Sequence, residues 1–334
     1  MKKYLIIYHQ EDNDGVLSCA MFKYYLMNHL SVEESEIELL PASYNYLSTI
    51  QSTKAYEKWP EDFKHIIMTD ISFNDTNMMI WLKTTFKDNF TWIDHHAPII
   101  KESIAKNFDD VNGIRSSHDS AIYHTWTYLY DPFKEKEVPK TIRLLSAWDS
   151  WTYEREGIDA EYCRATNKGF TISSRLSVKW WMKHMDLVYG AVVDLDGEIY
   201  KIYKVGLQRI EEEDIANKEL LVVNGDPTWT VNGIHAIMVV TTGQTSSYMF
   251  KSLKEDNPNK DSLQIGAVFK HCSNGKWTLS LYNIYDWNGD KTNPLYFHCG
   301  DYLKRKFNGG GHEGAAGCTI DIEQFYKMLK TKQI

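Results

Sequence analysis

Strand-like and helix-like segments alternate along the first 190 residues of this chain of 334 residues. Apolar strand-like runs occupy Tyr4–Tyr8, His65–Thr69 and Thr91–Ile93. Helices are predicted between and after these runs, at Val16–Asn28, 76–87, Ser120–Tyr130 and Lys140–Trp151. Such alternation is typical of a mostly parallel sheet with helices on both faces. We therefore predict an α/β fold whose ligand site lies beyond the carboxyl ends of the strands.

A second, smaller α/β domain is predicted in the C-terminal third of the chain. Its strand-like runs are Leu220–Val223, Ile234–Val240, Gln264–Lys270 and Trp277–Tyr282, and its helices lie near Ser246–Leu253 and Leu295–Phe307. A charged helical stretch precedes it. The predicted division is an N-terminal domain (1–195), a helical connector (196–218) and a C-terminal domain (219–334).

Composition narrows the class of protein. The net charge of −8 argues against a protein that coats long double-stranded nucleic acid, which needs many cationic contacts with phosphates. The five cysteines are scattered without a CxxC pair, which indicates reduced thiols. No run approaches the ~20 apolar residues of a membrane span. We expect a cytoplasmic protein without a membrane partner; a homodimer is left open.

Acidic and histidine residues follow each of the three N-terminal strand-like runs. His9, Asp12 and Asp14 follow the first, Asp70 the second, and Asp94-His95-His96 the third. Imidazole and carboxylate groups together suit a divalent ion such as Mn²⁺. Neighbouring side chains point in different directions, so one histidine could bind metal while the other reaches a phosphate, with Asp94 orienting an imidazole. The alternatives are ordinary turn and helix-capping roles for the aspartates and surface positions for the histidines.

Two further positions carry candidate chemistry. Asp149 lies near the end of a predicted helix between two tryptophans, where either a metal or a salt bridge would compensate its burial. The run Gly309-Gly310-Gly311-His312 follows the basic residues Lys304-Arg305-Lys306. Glycines let backbone N–H groups approach an anion closely, and His312 could donate to a phosphate or a ribose. A flexible turn is the alternative.

In this order, these motifs resemble the DHH phosphoesterase family over nearly the full length of the chain. The resemblance is carried by His9, Asp12, Asp14, Asp70, Asp94-His95-His96, Asp149, Gly309–His312 and Ala315–Gly317. It implies a catalytic N-terminal domain, a C-terminal domain that binds substrate across a cleft, and two divalent ions, Mn²⁺ foremost, with Mg²⁺ or Co²⁺ as options. His9, Asp12 and Asp70 would hold one ion, and Asp14, Asp70, His95 and Asp149 the other. His96 would touch the scissile phosphate.

The chain departs from the family pattern in two places. The spacing from His9 to Asp12 is not the most familiar one, and the strand Leu279–Asn283 lacks the arginine that many members carry before the glycine run. Arg305 or Lys304 would then compensate for the missing arginine in binding the substrate.

The resemblance implies hydrolysis of short oligonucleotides to nucleoside 5′-monophosphates, as in the nanoRNase-type members. A cyclic di- or oligonucleotide phosphodiesterase is the alternative within enzymes, and a catalytically inactive nucleotide-binding module is the alternative from another class. A manganese pyrophosphatase and a recombination exonuclease are less favoured.

Overall fold

The computed structural model divides into two compact units, Met1–Ile210 and Glu211–Ile334. The residues that it describes are 3–96, 100, 108–130, 137–190, 194–242, 247–250, 253, 263–272, 275–284, 297–311 and 313–334. Each unit has its own sheet and its own hydrophobic core. Within the described residues, no helix combines the length and the apolar character that crossing a membrane requires.

The first unit contains a sheet surrounded by helices. Its strands are β1 (Tyr4–His9), β2 (Ile37–Ala42), β3 (His65–Thr69) and β4 (Phe90–Ile93). Its helices are α1 (Asn13–His29), α2 (Tyr44–Thr53), α3 (Trp59–Asp62), α4 (Thr76–Phe86), α5 (Ala121–Tyr130), α6 (Lys140–Asp149), α7 (Ala160–Ser174), α8 (Val178–Lys183), α9 (Met185–Tyr189) and the first part of α10 (Leu195–Asn224). Short 3-10 turns lie at Glu34–Glu36, Ala55–Lys58 and Lys87–Asn89.

The four strands of this sheet run parallel in the order β2-β1-β3-β4. Ala42 lies opposite His9, Tyr8 opposite Thr69, and Thr69 opposite Ile93, so the strands end at a common edge. The predicted α/β class and parallel sheet are confirmed. The sequence missed β2, which lies at the outer edge of the sheet and contains Pro41.

Both faces of the sheet are covered, as the alternation of strands and helices predicts. Along β1, Ile6 and Tyr8 belong to a core that α1 and α5 share. Leu5 and Ile7 point to the other face and belong to a second core with residues of α2 and α4. Because both sets are buried, β1 is an apolar run rather than an alternating one.

Helices α7 and α10 touch through their backbones. A Cβ at Gly206 of α10 would lie 1.8 Å from the carbonyl oxygen of Ala165, so any larger residue there must separate the helices. The predicted connector, residues 196–218, lies within α10, and the division between the two units falls in the same helix after Ile210.

The second unit has a mixed sheet in the order β5-β6-β7-β8-β10-β9, in which β6 and β7 are parallel and the other neighbours antiparallel. Its strands are β5 (Asp226–Val231), β6 (Ile234–Thr241), β7 (Ile265–His271), β8 (Trp277–Asn283), β9 (Gly310–Gly311) and β10 (Ala315–Ile320). Residues of α11 (Cys299–Phe307) and α12 (Ile322–Thr331) pack in one core with this sheet, and a 3-10 turn lies at Ser247–Phe250.

One predicted strand of this unit is wrong. Leu220–Val223 forms the last turn of α10 instead. Leu221 packs against the sheet with Ile237, whereas Val222 and Val223 are largely exposed. Only one side of this apolar run is therefore buried, and its composition alone does not distinguish such a helical turn from a strand.

Candidate metal centre

The turn between β1 and α1 brings His9 and Asp12 together. One oxygen of Asp12 accepts a hydrogen bond from the Gly15 amide at 3.1 Å and so caps α1. The other oxygen lies 3.0 Å from Nδ1 of His9. A Cβ on Gly15 would lie 2.2 Å from the carbonyl oxygen of His9, so glycine is required for this close approach. Asp12 can therefore cap α1 with one oxygen and remain a candidate metal ligand with the other.

Asp14 is fully buried and fixes the start of a distant helix. Its two oxygens accept hydrogen bonds from the amides of Ala121 at 2.8 Å and Ile122 at 2.6 Å, the first residues of α5. The oxygen bonded to Ala121 also lies 3.5 Å from Nε2 of His95. The α5 amides favour an ionised carboxylate that still has a lone pair for a cation.

Asp70 lies at the centre of the cluster. It follows β3 with a left-handed φ of 58°, a conformation that aspartate tolerates better than most residues, and its amide donates to the carbonyl of Ile93. One carboxylate oxygen lies 3.4 Å from Nδ1 of His9. The other lies 3.3 Å from Nε2 of His95 and 3.9 Å from Nδ1 of His96.

Asp94 holds His96 in place. One oxygen of this buried carboxylate accepts from the Trp92 indole at 3.2 Å. The other accepts from the amide of His96 at 3.0 Å and lies 2.8 Å from its Nδ1. A carboxylate on Nδ1 fixes the orientation of the ring and leaves Nε2 as its other polar atom.

His95 and Asp149 complete the cluster. Nε2 of His95 lies 3.2 Å from an oxygen of Asp149, the last residue of α6. Three groups of side chains offer ligand atoms within 4.8 Å of one another: His9, Asp12 and Asp70; Asp14, His95 and Asp149; and Asp70, His95 and His96. The structure thus brings together every candidate ligand that the sequence indicates around the first sheet.

Several polar atoms of the cluster are buried without a hydrogen bond. They are Nδ1 of His9, both carboxylate oxygens of Asp70 and one oxygen of Asp149. Each of these atoms lies 3.0–3.4 Å from a carboxylate oxygen or imidazole nitrogen of another residue of the cluster without forming a hydrogen bond of good geometry. Buried polar groups are normally paired, and converging lone pairs of carboxylate and imidazole groups suit divalent cations. The donor set therefore fits the two ions that the DHH resemblance implies.

The pKa values show how strongly this cluster attracts positive charge. Burial and Asp70 raise the pKa of Asp14 to about 7, and burial and Asp14 raise that of Asp149 well above its usual value. Burial would lower the pKa of His95, but the carboxylates around it outweigh burial and raise it to about 11. Without an ion, protons neutralise the carboxylates. Metal binding must release the protons that the carboxyl groups and the imidazoles hold.

Tyr44, the first residue of α2, also reaches this cluster, and the sequence analysis missed it. Its ring lies 6.0 Å from the His9 ring and 6.3 Å from the His96 ring. Tyr44 comes two residues after β2, so a correct assignment of that strand would have placed it at the same edge of the sheet.

The glycine run and Arg305 lie in the second unit. Gly310 and Gly311 form the short strand β9, paired with Gly317 and Ala316 of β10. Arg305 is exposed in the last turn of α11 and, with Lys304, lines a cavity of about 390 Å³. His312 lies outside the described residues.

Among proteins of known sequence, no protein-family model and no curated protein matches this chain. Among solved structures, the DHH domain of a member of a family of ribosomal proteins has 11% identity and a TM-score of 0.58, over 99% of this chain and 85% of that one. Two others have a TM-score of 0.48. The pGpG-specific phosphodiesterase PggH from Vibrio cholerae is 15% identical, over 99% of this chain and 97% of that one. The exonuclease RecJ bound to manganese is 13% identical, over 99% and 89%. With the first of these likenesses, the resemblance that the motifs indicate is confirmed at the level of the fold: this chain has the fold of the DHH-domain proteins.

Proposed function

We propose that this protein is a metal-dependent phosphodiesterase that hydrolyses short oligonucleotides to nucleoside 5′-monophosphates. The observation that carries the proposal is the convergence of unpaired, buried carboxylate and imidazole atoms at the carboxyl edge of a DHH-fold sheet. Such an edge is where open α/β sheets bind ligands. A purely structural cluster would be expected to satisfy these atoms with hydrogen bonds.

Two overlapping ligand sets follow from the distances. His9, Asp12 and Asp70 form one set. Asp14, His95 and Asp149 form the other, which Asp70 can join through the oxygen that lies 3.3 Å from His95. Asp70 then bridges the sets with its two oxygens. Paired divalent ions supply an activated water and charge stabilisation of a phosphoryl oxygen in such sites.

His96 is the residue that we expect to contact the substrate phosphate. Its Nδ1 is held by Asp94, and a third of its side chain is exposed, unlike the nearly buried His9 and His95. An imidazole of fixed orientation is preorganised to donate to an anion from Nε2. In the second unit, Arg305 and the glycine run are the residues that we propose for substrate binding.

The experiment is hydrolysis of bis(p-nitrophenyl) phosphate with Mn²⁺, Mg²⁺ or Co²⁺, with ion stoichiometry measured by calorimetry. We expect the wild type to be active with Mn²⁺ and to bind two ions. Asp70→Asn should lose the activity and the ion binding. Asp88→Asn is the matched control, because Asp88 is an exposed residue of the 3-10 turn before β4. Absence of turnover with every ion, in a protein that still binds nucleotides, would show a binding module instead.

The substrate class requires a second measurement. Initial rates are compared for dinucleotides, longer RNA and cyclic dinucleotides at a fixed Mn²⁺ concentration. We expect the dinucleotides to be hydrolysed fastest. A preference for the cyclic substrate of more than about tenfold, equivalent to 1.4 kcal/mol in activation free energy, would identify a cyclic dinucleotide phosphodiesterase.

A further inference from the structure

Tyr44 approaches the candidate metal centre from β2, the edge strand that the sequence did not reveal. Ala42 ends β2 opposite His9 of β1. The Ser43 hydroxyl then caps α2 by accepting a hydrogen bond from the Tyr46 amide at 3.3 Å. Because the strands are parallel, this cap fixes Tyr44 at the edge where the other strands end in ligand residues.

The aromatic ring of Tyr44 stands beside two imidazoles of the cluster. It is tilted by 54° to the His9 ring and is perpendicular, at 89°, to the His96 ring. The ring is partly buried and packs against the core between the sheet and α2. Its position therefore depends on packing as well as on the Ser43 cap, and the phenol has little freedom to move away.

The hydrogen bonds among the described residues include none from the Tyr44 hydroxyl, which is not one of the buried polar atoms that lack a partner. A tyrosine phenol has an ordinary pKa of about 10, so it keeps its proton at neutral pH. A protonated phenol is a hydrogen-bond donor for an anion that binds beside it. An anion bound at the metal centre would supply an acceptor.

We propose that Tyr44 is a substrate-contacting residue, whose hydroxyl donates a hydrogen bond to a non-bridging oxygen of the phosphate beside His96. The inference rests on the proposed function, because it needs a phosphate at the metal centre. It adds a neutral donor to the cations and the imidazole. A neutral donor strengthens phosphate binding without displacing a metal ligand, since it adds no charge to the cluster.

Tyr44→Phe tests the proposal, because it removes the hydroxyl and keeps the ring that packs against the core. The affinity of the Mn²⁺-loaded protein for inorganic phosphate is measured by calorimetry, and kcat/KM is measured with bis(p-nitrophenyl) phosphate. We expect both to fall on the order of tenfold, the usual effect of a hydrogen bond to a charged group. The number of bound Mn²⁺ ions and the thermal unfolding temperature should stay unchanged. Tyr46→Phe, on the same helix and 44% exposed, should match the wild type in every measurement.

The outcomes separate this inference from the proposed function. Unchanged phosphate affinity in Tyr44→Phe overturns the role of Tyr44 while leaving the enzyme proposal intact, and so does a loss of bound Mn²⁺, which would indicate a structural role. If the wild type binds phosphate but hydrolyses no phosphodiester, the proposed function fails, and the phosphate affinities still decide the role of Tyr44. If the Mn²⁺-loaded wild type binds no phosphate, both fail.

Discussion

Replacing Asp94 by asparagine should damage both stability and activity, for reasons that can be measured separately. The carboxylate is fully buried and accepts from the Trp92 indole on one oxygen and from His96 on the other. An amide has one oxygen and one NH₂ group. Either orientation of the amide turns a donor toward the indole or toward the His96 amide, so one buried donor loses its acceptor.

The structure gives the expected magnitudes for Asp94→Asn. One unsatisfied buried donor lowers the free energy of unfolding by about 1–3 kcal/mol. Burial would lower the pKa of His96, but the Asp94 carboxylate outweighs it and raises that pKa. Loss of this charge lowers it and loosens the ring. Loss of a carboxylate that orients a histidine at a metal site typically costs about 10–100-fold in activity, and we expect kcat/KM to fall by that factor.

Urea unfolding and phosphodiester hydrolysis with Mn²⁺ are measured for the four proteins of a cycle that combines Asp94→Asn with Trp92→Phe. In the Trp92→Phe background the indole donor is absent, so Asp94→Asn should cost less stability than in the wild type. The activity loss should remain, because His96 is still unsupported. Equal stability costs in both backgrounds, or an active Asp94→Asn protein, would refute the reasoning.

Three further perturbations have defined outcomes. Gly15→Ala should lower the free energy of unfolding by about 3 kcal/mol in chemical denaturation, because its Cβ would lie 2.2 Å from a backbone carbonyl oxygen, whereas Gly314→Ala, with open space around it, should be nearly neutral. Gly206→Ala should destabilise by a similar amount although alanine favours helices by about 1 kcal/mol, since its Cβ would clash with the Ala165 carbonyl; a more stable variant would contradict this contact. In EDTA, stability should fall as pH rises above 6.5, because the folded pKa of His95 is raised above its ordinary value. With Mn²⁺, from pH 6.5 to about 8, where the ion stays in solution, the melting temperature should rise as proton competition declines, and parallel curves would contradict the cation site.

The strands that carry ligands were predictable because they are buried on both faces. β1 and β3 are nearly uninterrupted apolar runs followed by acidic residues, and a polar residue directly after such a run is conspicuous. β2 differs because it pairs on one side only and contains Glu38 and Pro41. Proline argues against a central strand but is tolerated at a sheet edge, so an edge strand that contains it is easily missed in the sequence. Tyr44 was missed with it.

Long-range contacts set the other limit of the sequence analysis. The pattern of acidic residues indicates that Asp14 belongs to the site, but not that it accepts the first amides of α5, more than 100 residues later. Likewise, the support of His96 by the Trp92 indole through Asp94 depends on side-chain orientations. The candidate ligands could be predicted from the chemistry of their side chains. The hydrogen bonds that orient these side chains could not, because they depend on the fold.

The same contacts explain why the cluster should need cations to be stable. Asp70 is 1% exposed and both of its oxygens lack hydrogen bonds, so water cannot solvate the carboxylate and the protein does not replace water. Removing a charge from water without a compensating partner costs several kcal/mol. The imidazoles compensate this charge only when protonated, a form that cannot bind metal through the same nitrogen. Bound divalent ions would remove this conflict, because Asp70 would be neutralised while the histidines stay neutral. The ions that we propose for catalysis would therefore also stabilise the first unit.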